Sequence, residues 1–230
     1  MKILALDTST ELCSAALLVD GKSISRELET ERGAAEHILP MIDSLLAEAG
    51  LALGAVEAIA FGRGPGGFTG VRLAASVTQG LAFGAGLPVI PVSDLAAVAR
   101  RALDIDAAGS HVLVCNDARM KEVYWACFAR DEGAGGTGGA LRLSGTEHVG
   151  PADQVLPPEA GAGPAGTGHL IGAGRGFQVY PQLVTRVSRA YDALLPRAVE
   201  VAMLAAGAPR LAPEQAIPVY IRDDVARPAP

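Results

Sequence analysis

Asp7-Thr8-Ser9-Thr10 closes the first apolar run of the chain and sets one carboxylate among three hydroxyls. Such a turn can handle a phosphate or a cation, or the carboxylate can cap it by accepting backbone N–H groups. A second candidate is Gly62-Arg63-Gly64-Pro65-Gly66-Gly67-Phe68-Thr69-Gly70, which stands after a strand pattern and before a helical one. Glycines allow close backbone approach, and a helix N-terminus favours an anion. On this reading Asp7, Gly64, Gly66, Gly67 and Thr69 form a phosphate or nucleotide loop. The same spacing also makes a tight turn that packs the helix against a sheet. The acidic ribose-binding residue expected about 20 residues on in a dinucleotide motif is absent, since Gly86–Val92 is apolar.

Other patterns fail on context. Gly21-Lys22-Ser23 resembles the end of a P-loop, but Ala16 stands where the earlier glycine belongs, and a strand follows instead of a helix. Gly161–Gly166 spells GxGxxG with no helix opening there. His37, His111, His148 and His169 make no pair at metal-ligand spacing, and there is no HExxH and no GxSxG. A metalloprotease therefore lacks ligands. Asp117, Arg119 and Glu122 read as a polar cluster or as a β-turn salt bridge. Cys13, Cys115 and Cys127 are an odd, widely spaced set and read as buried thiols in a reducing cytoplasm.

The elements that must position these residues follow from periodicity. Lys2–Thr8, Leu12–Val19 and Lys22–Thr30 read as strands, with Asp20-Gly21 as a hairpin turn. Ile38, Leu39, Ile42, Leu45, Leu46 and Ala49 recur at helical spacing up to the stop at Gly50. Val56–Phe61 and Pro88–Val92 are short apolar strands, Thr69–Phe83 is a second helix, and Ser93-Asp94 caps a third through Leu103. The order β-β-β-α-β-α-β-α predicts a mixed sheet with helices against it.

Asp104–Ser110 marks a boundary, giving halves 1–106 and 107–230. The second half reads as strands at His111–Asn116, Val123–Ala129, Leu141–Val149 and His169–Ala173, and a helix at Ala193–Ala206 with Pro196 near its start. Gly133–Gly139 and Pro157–Gly168 read as loops, and Ile217–Arg222 as a last strand or an extended docking segment. It is a shorter, degenerate echo of the first half.

The composition limits partners. Of 230 residues, 50% are hydrophobic and 19% charged, which excludes disorder. The formal net charge is −6 with no run of Lys or Arg, so the chain is not expected to grip nucleic acid alone. Asp7 interrupts the N-terminal run too early for a signal peptide, and Gly64–Ser93 is too broken for a membrane span.

Four ordered motifs carry a family resemblance. Ile3–Leu17, Phe61–Arg72, Asp117-Ala-Arg-Met-Lys-Glu-Val-Tyr124 and Pro218-Val-Tyr-Ile-Arg-Asp-Asp-Val-Ala226 resemble those of the bacterial TsaB (YeaZ) family, over nearly the whole chain. The resemblance implies an α/β fold of the ASKHA (actin/Hsp70-like) type, with two related subdomains whose mixed sheets are flanked by helices. It implies a cytoplasmic, non-catalytic accessory subunit in forming threonylcarbamoyladenosine (t6A) at the tRNA adenosine next to the anticodon. The implied partners are TsaD, the catalytic homologue that holds the metal, and TsaE, an ATPase. A homodimer forms when TsaD is absent, and tRNA is reached only through the complex. ATP and metal belong to those partners, with no cofactor in the isolated chain. Two departures matter: Gly67 stands where the loop usually has Ser, and Gly33-Ala34-Ala35 stands where the first helix often has His. The rival reading is an autonomous ASKHA-type kinase or ATPase built on Asp7 and the glycine loop.

The second helix adds an argument of its own. Thr69–Phe83 carries one charge, Arg72, whereas a helix exposed on its far side should be polar there. A partner covering that side is the expected reason. The expected interface residues are His37, Met41 and Leu45 on the first helix and Arg72, Ala75, Ser76 and Gln79 on the second. Glu at position 75 or 76 is expected to break the complex and spare the fold.

Overall fold

The computed structural model describes residues 1–30, 32–130, 141–156 and 169–222. The loops expected at 133–139 and 157–168, the GxGxxG at 161–166 and the end of the fourth motif (223–226) lie outside the described residues.

The first sheet has the order β3-β2-β1-β4-β5, from β1 (Lys2–Asp7), β2 (Leu12–Val19), β3 (Lys22–Glu29), β4 (Ala58–Gly62) and β5 (Val89–Val92). β1, β2 and β3 are antiparallel, with Asp20 and Gly21 at positive φ in the predicted turn, and β4 and β5 join in parallel. Alternation places Leu4, Leu6, Ala15, Leu17, Ile59 and Phe61 against α1 (Ala34–Ala49) and α2 (Phe68–Ala85). Ile3, Ala5, Ala16, Leu18, Ala58 and Ala60 face the other way and meet α5 (Ala198–Ala205).

The second sheet has the order β10-β9-β6-β7-β8, from β6 (Gly109–Asp117), β7 (Glu122–Arg130), β8 (Leu141–Pro151), β9 (His169–Ala173) and β10 (Arg189–Tyr191). One face, with Val112, Val114, Ala126 and Phe128, packs on α3 (Asp94–Ile105). The opposite face buries Cys115, Trp125 and Cys127 with Phe177 of α4 (Gly176–Val179) and Leu183. The helices thus cross between halves: α3 covers the second sheet, α5 covers the first, and they touch between the two sheets. Arg101 donates to the Leu195 carbonyl and Ala198 N–H to the Ser14 hydroxyl, which fixes the crossing.

One expectation needs correction, and one pair of alternatives is narrowed. The last helix starts at Ala198, not Ala193, because Pro196 lacks a donor and disfavours helical geometry at Leu195. Ile217–Arg222 is extended but forms no strand. It is a strap: Leu211 pairs with Val89 at the edge of β5, Ala216 enters the first core, and Val219 N–H donates to the Arg63 carbonyl. The strap ends with Arg222, whose guanidinium reaches the Ala118 carbonyl at 3.0 Å and the Glu122 carboxylate at 2.6 Å.

The β6–β7 connection carries strain. Arg119, Met120 and Lys121 have φ of 62, 54 and 64°, a left-handed run without glycine. Such residues cost on the order of 1 kcal/mol each. Ala118 N–H to Glu122 O, Glu122 N–H to Arg119 O and Arg119 N–H to Asp117 Oδ1 hold the turn. The Asp117–Arg119 ion pair is 3.3 Å, so the predicted polar cluster is a β-turn gripped by Arg222.

Candidate functional site: the glycine loop and the α1–α2 face

The β1–β2 turn and the glycine loop interlock. Asp7 Oδ1 accepts from the Ser9 N–H and hydroxyl, both at 2.9 Å, which caps the turn. Gly67 N–H donates to the Ser9 carbonyl and the Thr8 hydroxyl to the Gly70 carbonyl, each at 2.7 Å. A Cβ on Gly66 would stand 2.7 Å from the Ser9 carbonyl oxygen, and one on Gly70 would overlap that of Thr8. The glycines therefore let backbone lie on backbone. Gly67 N–H, the amide an anion would need, already has a partner.

Sequence reasoning missed Asp94 as the partner of Asp7. It is the first residue of α3, and both carboxyls are fully buried. An Asp7 oxygen and an Asp94 oxygen both crowd the point where a Gly62 Cβ would stand. Among the described residues no basic side chain neutralises them, and Asp7 Oδ2 and both Asp94 oxygens have no hydrogen-bond partner. Burial raises the pKa of Asp7, and burial together with the Asp7 charge raises Asp94 well above the carboxylate range. Carboxyls so deeply buried and so close together favour a state in which one of them is protonated. Asp7 is enclosed against Gly62 with no exposed surface. Thr69 is exposed, while Gly64 is buried with φ 102° and its N-terminal neighbour Arg63 pairs with Glu147 of β8 at 3.0 Å. Ser93 caps α3 by accepting from Ala96 N–H and also bonds Glu147. The loop is thus tied to the second sheet.

The helix face differs in part from expectation. Leu45 and Ala75 point into the first core, at 0 and 4% exposure, so neither reaches a partner. Glu at position 75 would damage the core rather than an interface. His37 and Ser76 are exposed, and Met41, Arg72 and Gln79 are half-buried, Gln79 donating to the Pro213 carbonyl. The outward stripe of α2 runs through Phe68, Ser76, Gly80, Phe83 and Gly84, and nothing lies within 4 Å of a Cβ built on Gly80 or Gly84. At its start the Arg72 guanidinium lies 3.1 Å from the Phe68 ring centre and 5.0 Å from that of Tyr220. Leu39 of α1 is also exposed.

The three thiols are free and buried. Burial raises Cys13 and Cys127 to about 11 and Cys115 further, so none is a ready nucleophile. Among the described residues no group of three or more His, Cys, Asp or Glu is placed to hold a metal, and no helix is long and apolar enough to cross a membrane.

Two mixed five-stranded sheets, flanked by helices and with α3 and α5 between them, define an α/β protein of the ASKHA-like class. Residues 28–137 match the family model described as TsaD, tRNA N6-adenosine threonylcarbamoyltransferase. The tRNA threonylcarbamoyladenosine biosynthesis protein TsaB of Haemophilus influenzae is 41% identical over 89% of this chain and 85% of its own length. The Escherichia coli protein of the same name is 39% identical over 98% and 96%. A crystal structure of a Pseudomonas aeruginosa protein described as similar to peptidase YEAZ superposes with a TM-score of 0.86 at 44% identity, covering 96% of this chain and 99% of that one. The chain belongs to the TsaB (YeaZ) family.

Proposed function

We propose that the chain is the non-catalytic accessory subunit of a cytoplasmic assembly that makes t6A at the tRNA adenosine next to the anticodon. It docks TsaD through the outward face of α1 and α2. The observation that carries this reading is the stripe Phe68, Ser76, Gly80, Phe83 and Gly84, apolar or small and open to solvent, whose one charge, Arg72, lies over the Phe68 ring. Large apolar side chains flanking small ones let a partner helix approach closely, and monomers rarely leave such a face uncovered. TsaE joins the complex, a second copy takes the face when TsaD is absent, and tRNA is met through the assembly. ATP and metal are held by the partners. The burial of Asp7 against Asp94 and the spent amide of Gly67 support that assignment over an autonomous kinase or ATPase.

Ser76→Glu tests the reading. A carboxylate at the seam must be desolvated on docking, at a cost of several kcal/mol (on the order of that for an unpaired buried charge). The variant is expected to keep its Tm, lose co-purification with TsaD and abolish t6A formation in the reconstituted system. Undiminished co-purification would sink the docking face. Turnover of ATP by the isolated chain with Mg²⁺ would favour the autonomous enzyme.

A further inference from the structure

The left-handed turn Arg119-Met120-Lys121 has no role in the loop or the α2 face. Among the described residues, seven other left-handed positions are glycine. Here the backbone would also be relaxed by glycine, yet three side chains are kept. They do little inside the molecule: Met120 is 65% exposed, the Arg119 side chain 85%, and Lys121 is exposed. From within the chain, Met120 is met by Arg222, whose Nη1 lies 3.6 Å from its sulfur. A strained backbone that holds side chains outward marks a surface where those side chains are used.

We propose that this turn is a docking knob: Met120 enters an apolar pocket with an acidic rim on the same protein partner that covers α2. The proposal rests on the docking reading above. Continuity selects that partner. Arg222 grips the turn, and Tyr220, two residues earlier in the strap, packs 6.4 Å from Phe68 at the start of α2. One exposed band of Phe68, Tyr220 and Met120 therefore joins the helix face to the knob. Charge complementarity sets the rim, because Lys121 beside the methionine is exposed and would meet a carboxylate. A phosphate backbone suits the site less well. Asp117 and Glu122 neutralise Arg119 at 3.3 Å and Arg222 at 2.6 Å, and a thioether adds nothing to phosphate binding. Methionine and arginine are enriched in protein interfaces.

The test compares Met120→Gly, Lys121→Glu and Ser76→Glu with the parent chain in titrations with purified TsaD. Met120→Gly is expected to hold or raise Tm while weakening association at least tenfold, about 1.4 kcal/mol. Lys121→Glu is expected to weaken it severalfold, more at low salt. Affinity of Met120→Gly within twofold of the parent overturns the knob. Should Met120→Gly lower Tm instead, Met120→Ala decides by the same twofold limit. A photo-cross-linking residue at position 120 should join TsaD; a cross-link to tRNA or to a second copy overturns the proposal. Loss with Ser76→Glu and retention with Met120→Gly leaves the helix face standing and removes the knob. Retention with Ser76→Glu and loss with Met120→Gly does the reverse.

Discussion

Gly70→Ala is expected to lower the thermal stability of the chain sharply. The new methyl would overlap the Thr8 carbonyl oxygen and stand 2.9 Å from the Thr8 carbon. Both are backbone atoms of the β1–β2 turn, so no rotamer change relieves the clash. Either α2 moves away, losing the 2.7 Å bond from the Thr8 hydroxyl and the packing of Val71 and Ala74, or the turn does. Overpacking a flexible core costs about 1–3 kcal/mol. A rigid contact lies at or above the top of that range, against a total stability of about 5–15 kcal/mol. At 2–4 °C per kcal/mol for a chain of this size, Tm falls by roughly 10 °C or more. Gly80→Ala on the same helix is the control: nothing lies within 4 Å of the added methyl, and helix propensity gains up to about 1 kcal/mol. Thermal melts of the two variants should move in opposite directions. A normal melt for Gly70→Ala would mean that the loop does not pack as described.

That contrast shows what was legible in the residues. The glycine loop stood out by composition, and its place between strand and helix was read correctly. Whether its glycines served a ligand or a backbone contact depended on Thr8 and Ser9, more than fifty residues away, and sequence spacing carries no such distance. The first eight elements were readable because they show as apolar runs or helical periods, and Asp20-Gly21, Gly50 and Ser93 mark their ends. β10 and α4 were not, since neither is an apolar run like the four-residue β5 nor long enough to show a period. α4 also follows the glycine-rich stretch Gly172–Gly176, where Gly174 and Gly176 serve close approach to Cys115 rather than a turn signal.

Two of the expected interface residues are buried for a related reason. Leu45 and Ala75 are on the right helices, but helical spacing fixes only which residues share a face, and which face meets the sheet is settled by packing. Asp94 was hidden by its own plausibility. An acidic residue in the first turn of a helix is ordinary, because the helix N-terminus favours it. Only the parallel pairing of β4 with β1 and β5 brings it to Asp7 and reverses the logic, since burial beside a second carboxyl disfavours its charge.

Asp94→Asn is therefore expected to stabilise the protein, by more as pH rises. Folding raises the pKa of Asp7 and Asp94 above the unfolded value near 4, chiefly because burial disfavours their charge. A group whose folded pKa is raised contributes fully below its unfolded pKa. Its contribution is lost as pH climbs through the window up to the folded pKa, where the unfolded chain releases a proton that the native chain retains. The parent should thus lose about 1.4 kcal/mol of stability per pH unit for each such proton, beginning near pH 4. The variant's amide can donate to Asp7 as the protonated carboxyl does, and its N–H still reaches the Gly64 carbonyl at 3.1 Å. One carboxyl no longer has to stay protonated, so its share of the slope vanishes. Asp20, Glu57 and Asp106, whose pKa values are lowered by their hydrogen-bond partners, act with the opposite sign, their contribution being lost as pH falls. They are common to both proteins and cancel in the difference. Urea unfolding of parent and variant at several pH values from 4 to 9 measures that difference directly. It should open near pH 4 and widen upward; parallel curves, or a variant less stable at pH 8, would show that the pair carries no shared proton.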